Sequence, residues 1–94
     1  MSLIVSQGVK QKLAEKHNVQ IHEIRECFSN RNGGFLKDNR EDHKTDPPTL
    51  WFVAETDYGR LLKVVFIQKE NNFIIKTTYE ANSKEVSIYD AKFA

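Results

Sequence analysis

Hydrophobic and polar positions follow different periods in the two halves of the chain. From about residue 50 the apolar residues alternate with polar ones or form short runs, in "TLWFVAET", "LLKVVFIQ" and "NFIIKTTYE". Stretches of this kind indicate β-strands. The linkers "DYGR" and "KENN" have the composition of hairpin turns and are too short for a crossover connection. We therefore predict an antiparallel meander over residues 50–80.

Between residues 6 and 28 the apolar residues recur at helical spacing, which predicts two short helices. Ser6 is the predicted N-cap of the first helix, and Asn18 is predicted to end it in the left-handed conformation. The inward stripe of the two helices comprises Val9, Leu13, Ala14, Ile21, Ile24 and Phe28.

The C-terminal segment "NSKEVSIYDAKFA" predicts a third helix over residues 82–93, with Ser83 as its N-cap. Val86, Tyr89 and Phe93 fall on one stripe of this helix. Residues 29–49 are predicted to form a polar loop, in which "GFLKD" is a candidate edge strand.

Together these elements predict one domain of the α+β class, spanning residues 1–94. It consists of a small antiparallel β-meander of three to four strands, packed by two N-terminal helices and one C-terminal helix. A chain of 94 residues buries roughly 60–65% of its unfolded surface, which is enough for one core.

The register of the meander decides which side chains share a face. If both hairpin loops have even length, one face carries Trp51, Val53, Leu62, Val64, Phe66, Phe73, Ile75 and Tyr79. The other face then carries Phe52, Ala54, Lys63, Val65, Ile67, Lys76 and Thr78. We expect the first face to pack against helices and the second to stay open, with Lys63 and Lys76 close together.

The overall charge gives no sign of nucleic-acid or membrane binding, because 14 basic residues stand against 13 acidic ones. Cys27 is the single cysteine, which excludes an internal disulfide and favours a reducing, cytoplasmic location. No apolar run is long enough to span a membrane, and the histidines lack metal-ligand spacing. We therefore predict no metal, no cofactor and no membrane contact.

Several cations and a phenol surround the predicted corner between the last strand and the last helix. They are Arg60, Lys63, Lys76, Tyr79 and Lys84. RNA cleavage without a metal requires deprotonation of a 2′-hydroxyl, stabilisation of charge on phosphorus and protonation of the leaving oxygen. Lysine and arginine stabilise such charge, and tyrosine, glutamate or a lysine with a lowered pKa can carry the protons. From the residues alone, the plainer interpretation is stronger: the lysines keep a half-exposed sheet soluble and protect its edge.

The segment "LAEKHNVQIHEIRECF" also resembles a helix-turn-helix, which raises DNA binding as a hypothesis. Glu23 and Glu26 on the second helix oppose it, because they would face phosphates of like charge. Packing of both helices against the sheet is the preferred interpretation.

The order of these segments resembles that of the BrnT-type toxin family, a branch of the RelE-like ribonuclease toxins. The similarity lies in "KLAEKHNVQIHEIRECF", in the charged run "KDNRED", in Gly59-Arg60 of the meander and in the closing "YEANSKEVSIYD". The family's closing motif, Arg-x-Ala-x-x-x-Glu-Arg followed by Tyr, is matched here by Ala81, Lys84, Glu85 and Tyr89.

The resemblance implies a small antiparallel sheet with helices on it, metal-independent RNA cleavage, and inhibition by an antitoxin protein from the same bacterial operon. On that basis, RNA would meet the open sheet face. The implied catalytic residues are Lys63, Lys76 and Lys84 for phosphate stabilisation and Tyr79 for proton donation or base stacking, with Arg60 holding the RNA backbone.

Tyr79 and Val86 stand where the family has arginines, so two basic groups of the implied site are missing. Lys12 and His17 match the opening motif and are expected to be structural. Three hypotheses therefore stay open: a ribonuclease toxin, a catalytically degenerate protein-binding module of the same fold, and a DNA-binding protein. A homo-oligomer is compatible with each of them.

Overall fold

The computed structural model describes residues 2–38 and 47–93. Most of the charged run in the predicted loop, residues 39–46, lies outside the described residues. The helical elements are α1 (Gln7–Lys12), a π-helical turn (Leu13–His17) that continues it, α2 (Ile21–Asn30) and α3 (Ser83–Phe93). The strands are β1 (Ser2–Ile4), β2 (Leu36–Lys37), β3 (Thr49–Glu55), β4 (Leu61–Lys69) and β5 (Asn72–Glu80).

The strands form one sheet in the order β1-β5-β4-β3-β2. Strands β3, β4 and β5 are the antiparallel meander, and β2 extends it at one edge within the "GFLKD" segment. At the other edge β1 runs parallel to β5, with Ser2 opposite Asn72. The α+β class is confirmed, but the described part of the chain has five strands rather than three to four, because three residues are too short to show a strand period.

The predicted face assignment of β3 is wrong, because the first hairpin loop has odd length. Glu55 pairs with Leu61, which leaves the five residues 56–60 in the loop. Val53 consequently lies opposite Lys63, and Phe52 lies opposite Val64. A change of one residue in loop length exchanges the two faces of a strand.

A β-bulge makes the predicted face assignment wrong at the end of β5 as well. The second hairpin has the expected register near its turn, where Phe66 pairs with Ile75. The pairing then shifts between Val65 and Phe66, and Tyr79 comes to lie opposite Lys63. The predicted grouping of Tyr79 with Leu62, and of Lys63 with Thr78, is therefore wrong.

Both faces of the sheet are covered. The helix-pair face carries Phe52, Leu62, Val64, Phe66, Phe73, Ile75 and Thr78, and it packs against Leu13, Val19, Ile24 and Cys27 of the N-terminal helical region. The opposite face, here the α3 face, carries Trp51, Val53, Lys63 and Tyr79 and is covered in part by Val86, Tyr89 and Phe93 of α3. The expectation of an open face around Lys63 is wrong, since only 9% of that residue is exposed.

The helix ends follow their capping residues. Ser6 accepts a hydrogen bond from the Val9 amide (3.2 Å), and Asn18 adopts φ 53°, so both predicted caps of the first helical segment are confirmed. The N-cap of α3 is Asn82 rather than Ser83. Its Oδ1 accepts from the Glu85 amide (2.8 Å), and the Glu85 carboxylate accepts from the Asn82 amide (3.0 Å), which is a capping box.

Close contact between the loop after α2 and the end of α3 predicts opposite outcomes for two glycines. A Cβ on Gly33 would lie 2.6 Å from the Cβ of Phe93 and 2.8 Å from the Tyr89 hydroxyl, whereas one on Gly8 meets nothing within 4 Å. We expect Gly33→Ala to lower the free energy of unfolding by about 1–3 kcal/mol through overpacking. Gly8→Ala, the control within α1, should raise it by up to about 1 kcal/mol. Urea unfolding measures both, and equal stability of the two variants would contradict the docking of α3 seen here.

Candidate functional site

One carboxylate oxygen joins three elements on the α3 face. The Lys63 ammonium on β4 donates to Glu85 Oε2 over 2.9 Å, and the Tyr79 hydroxyl on β5 donates to the same oxygen over 2.8 Å. Glu85 is fixed there because the α3 capping box holds its other oxygen. The side chains of Lys63 and Glu85 are 11% and 15% exposed, so the ion pair is largely shielded from water.

Aromatic rings surround the Lys63 ammonium. Its Nζ lies 4.6 Å from the centre of the Trp51 ring and 5.8 Å from that of Tyr79. Both rings present a negative π-face to a cation at such distances. The arrangement keeps a charged lysine within a mostly apolar surface while its ion pair remains intact.

The hydrogen bonds fix the protonation states of this cluster. Burial by itself raises the pKa of Glu85, but hydrogen bonds from the Asn82 amide, Lys63 and Tyr79 outweigh it and leave the pKa lowered. Burial also raises the pKa of Tyr79, and its hydrogen bond to Glu85 raises that pKa further. Glu85 is therefore held as a carboxylate and Tyr79 as a neutral phenol.

A cleft of about 770 Å³ opens beside the ion pair, between α3 and the β2–β3 edge of the sheet. Its lining combines apolar and charged side chains: Phe35, Leu36, Lys37, Asp38, Trp51, Lys63, Glu85, Ile88 and Lys92. Ile88, on α3, is 48% exposed and contributes an apolar side chain to this cleft.

His17 approaches the cluster from the other side. It is the last residue of the π-helical turn, and its half-buried ring lies 5.8 Å from the Tyr79 ring, centre to centre. β1 pairs with β5 only as far as Ile74, so the part of β5 that carries Tyr79 has no described strand on its outer side.

Arg60 is committed to contacts within the protein. Its guanidinium donates to the backbone oxygens of His17 (2.9 Å) and Asn18 (2.6 Å), and it forms ion pairs of 3.1 Å with Glu23 and Glu80. These contacts tie the end of the π-helical turn to α2 and β5. The guanidinium is thus held by four partners within the protein, and the predicted contact of Arg60 with RNA stays a prediction.

Lys76 and Lys84 differ from Lys63 in being exposed, and the side chain of neither forms a hydrogen bond or ion pair within the described part of the chain. Lys76 is the residue left over at the β-bulge, and Lys84 precedes Glu85 in the first turn of α3. The predicted proximity of Lys63 and Lys76 on one open face is wrong, since one is buried under α3 and the other is in solvent.

Residues 2–38 and 47–93 were also searched for metal-ligand clusters, membrane-spanning helices and a reactive thiol. No three His, Cys, Asp or Glu side chains gather there as a metal site, and no described helix is both long and apolar enough to cross a membrane. Cys27 is fully buried, and burial together with the charges of Glu23 and Glu26 raises its thiol pKa to about 12. A thiol that is buried and has a raised pKa is unreactive.

Sequence reasoning missed three contributors to the cluster. Glu85 was matched only to a family motif, although the spacing Asn82-x-x-Glu85 is a capping-box signal that would have fixed its position. Trp51 was placed on the opposite face from Lys63, as a result of the wrong loop parity. His17 was expected to be structural, and its contact with Tyr79 crosses too long a sequence separation for any local pattern to reveal.

The fold has a counterpart among solved structures. No protein-family model matches the sequence, and no curated protein sequence matches it either. The structure is similar to the crystal structure of the Brucella abortus ribonuclease toxin BrnT, with a TM-score of 0.64 and 13% sequence identity. The match covers 88% of this chain and 99% of that one. The chain therefore has the BrnT-type fold, as its sequence resemblance implied.

The hydrogen bonds to Glu85 predict a stability that depends on pH. Glu85→Gln removes the negative charge beside the buried Lys63 and should cost about 1–3 kcal/mol at pH 7. Because the folded-state pKa of Glu85 is lowered, its contribution is full above the unfolded glutamate pKa of about 4.3 and is lost as the pH falls through the folded value. The stability difference from the wild type should therefore shrink at acidic pH.

Urea unfolding between pH 7 and pH 3 measures this difference. Glu70→Gln, at the exposed β4–β5 turn, is the matched control for loss of a carboxylate. A Glu85→Gln penalty that stays constant down to pH 3 would show that the ion pair with Lys63 does not stabilise the fold.

Proposed function

We propose that this chain is a BrnT-type toxin domain that cleaves RNA without a metal, at the cluster of Lys63, Tyr79 and Glu85. The observation that supports it is that the Lys63 ammonium and the Tyr79 hydroxyl both donate to one oxygen of the Glu85 carboxylate. This cluster lies beside an open cleft, in a fold shared with a ribonuclease toxin. A purely structural ion pair would also tie α3 to the sheet, so the activity itself has to be measured.

In the proposed reaction the scissile phosphate lies against Lys63. Lysine has three N–H donors, and the carboxylate of Glu85 takes one of them at 2.9 Å. The ammonium stabilises the negative charge that develops on the phosphorane oxygens. Glu85 acts by holding Lys63 and Tyr79 in position, since a carboxylate with a lowered pKa is a weak base.

Tyr79 is the proposed proton donor to the departing 5′-oxygen. It remains neutral and protonated at neutral pH, because burial and Glu85 raise its pKa. Tyr79 stands where the family has an arginine. A guanidinium has a positive charge and several N–H donors, whereas the tyrosine hydroxyl is neutral and has one O–H donor. Lys63 next to it supplies the positive charge that the phenol lacks.

The exposed lysines are proposed to guide the RNA backbone. Lys84 lies one residue before Glu85 in α3, and Lys76 is on β5 in the same strand as Tyr79. Both are solvated, so they attract phosphate over several ångströms without being part of the buried cluster. Their contribution should weaken as salt rises.

The proposed partner, besides RNA, is an antitoxin protein made in the same bacterial cytoplasm. The cleft beside the cluster has the exposed Ile88 and the cations Lys37 and Lys92, a mixture that suits a protein partner with an acidic, amphipathic segment. Such a partner would cover the cluster and block access to it.

A non-catalytic binding module is the second candidate. The four intramolecular partners of Arg60 favour this candidate. With Arg60 occupied, Lys63 is the remaining cation among the described residues of the cluster, and it is already paired with Glu85. Co-expression with the product of a neighbouring small reading frame tests this role. A stable heterocomplex of a protein without nuclease activity would select it over the ribonuclease.

The direct test is cleavage of a labelled RNA in the presence of EDTA. We expect the wild-type protein to cleave, and Lys63→Met to lose about 10²–10³-fold in rate through loss of charge stabilisation. The double variant Lys76→Ala, Lys84→Ala removes exposed side chains and should lose about tenfold at low salt.

Lys69→Ala, at the far end of β4, is the matched control and should cleave at the wild-type rate. Unfolding curves recorded for each variant separate loss of activity from loss of fold. Absence of cleavage by the wild-type protein at high concentration would reject the ribonuclease and leave the binding module.

A further inference from the structure

The cluster around Glu85 lacks a group that can accept a proton from a 2′-hydroxyl. The Lys63 ammonium is paired, the Glu85 carboxylate already accepts bonds from Lys63, Tyr79 and the Asn82 amide, and the Tyr79 hydroxyl points its proton at Glu85. Three hydrogen bonds leave the carboxylate little basicity. RNA cleavage at this site therefore requires a base from outside the cluster.

His17 is the described side chain of suitable chemistry that reaches Tyr79. Its ring lies 5.8 Å from the Tyr79 ring with a tilt of 39°, and it is half-buried. Neither of its nitrogens hydrogen-bonds to any residue within 2–38 and 47–93. A neutral imidazole nitrogen with no such partner is able to accept a proton.

The backbone around His17 is unusually well fixed. His17 ends a five-residue π-helical turn, an element that is rare and is found often at functional sites. The turn closes at Asn18 in the left-handed conformation, and Arg60 donates to the backbone oxygens of both residues. Arg60 thus acts as a positioning residue for the imidazole.

From this geometry we infer that His17 is the general base of the proposed ribonuclease, and that its substrate is single-stranded RNA with an accessible 2′-hydroxyl. The inference rests on the proposed function. It replaces the structural role that the family resemblance implied for His17.

The proposed step forms one bond to phosphorus, breaks another and transfers two protons. An imidazole nitrogen of His17 takes the proton of the 2′-hydroxyl, and the 2′-oxygen forms a bond to phosphorus. The bond from phosphorus to the 5′-oxygen breaks, and that oxygen takes the proton of the Tyr79 hydroxyl. The products are a 2′,3′-cyclic phosphate and a 5′-hydroxyl. The imidazolium of His17 then releases its proton to water, and the phenolate of Tyr79 takes one up from water.

Two substrates separate the base from the acid. One is a short single-stranded RNA. The other is uridine 3′-(4-nitrophenyl phosphate), whose leaving group departs without a proton but whose 2′-hydroxyl still has to be deprotonated. Both reactions are run in EDTA with the full chain.

We expect His17→Ala to lose about 10²–10⁴-fold on both substrates, which is the usual contribution of a general base. Added imidazole should restore part of the rate, because a small base fits the space that the side chain leaves. Tyr79→Phe should lose rate on the RNA and retain it on the nitrophenyl ester. His22→Ala, an exposed histidine on α2, is the matched control and should cleave both substrates at the wild-type rate.

Each outcome decides the inference. Full activity of His17→Ala would overturn it and leave the proposed function intact. Loss on the RNA alone, or loss without imidazole rescue in a variant of wild-type stability, would also overturn it, because a base is needed for both substrates. A wild-type protein that cleaves neither substrate would reject the proposed function and this inference together.

Discussion

The ion pair between Lys63 and Glu85 connects the sheet to the helix that covers it. Lys63 is the third residue of β4, and Glu85 comes from the first turn of α3. The two side chains are 11% and 15% exposed, so each needs the other as a counter-charge. Since Glu85 also caps α3, the same carboxylate sets where the helix begins and where it meets the sheet.

Arg60 provides a second connection of the same kind, an ion pair with a glutamate that also belongs to a helix cap. It joins the end of the π-helical turn to Glu23 of α2 and Glu80 of β5. Glu23 is a partner of Arg60 and also the N3 residue of the α2 capping box, where its carboxylate accepts from the amide of the N-cap residue Gln20 (2.9 Å). In both places a helix cap and an ion pair share one glutamate, so helix start and tertiary packing are set together.

Periodicity predicted the elements of this fold well, because each depends on local sequence. The three long strands, the two helical segments before them and the final helix all follow from apolar spacing and caps. The strand β1 was missed, because Ser2–Ile4 is held in the sheet by pairing with β5 and not by its own pattern.

The candidate site was harder to predict, because it depends on how strands align. The odd loop 56–60 brings Trp51 to the side of Lys63, and the bulge at Val65 and Phe66 brings Tyr79 there. Neither the loop parity nor the bulge has a clear signature in the sequence. Tyr79 and Val86, which stand where the resembled family has arginines, have different surroundings in the structure. Val86 packs against the core, whereas Tyr79 belongs to the cluster around Glu85.

The proposed function depends on RNA binding over the Lys63–Glu85 pair. The most direct measurement is a crystal structure of the protein with a short single-stranded RNA whose 2′-oxygens are methylated, so that it binds without being cleaved. We predict a phosphate within hydrogen-bond distance of Lys63 Nζ, with its ribose on the side of His17 and Tyr79. An RNA bound elsewhere, with the Lys63–Glu85 pair still covered, would contradict the proposed function.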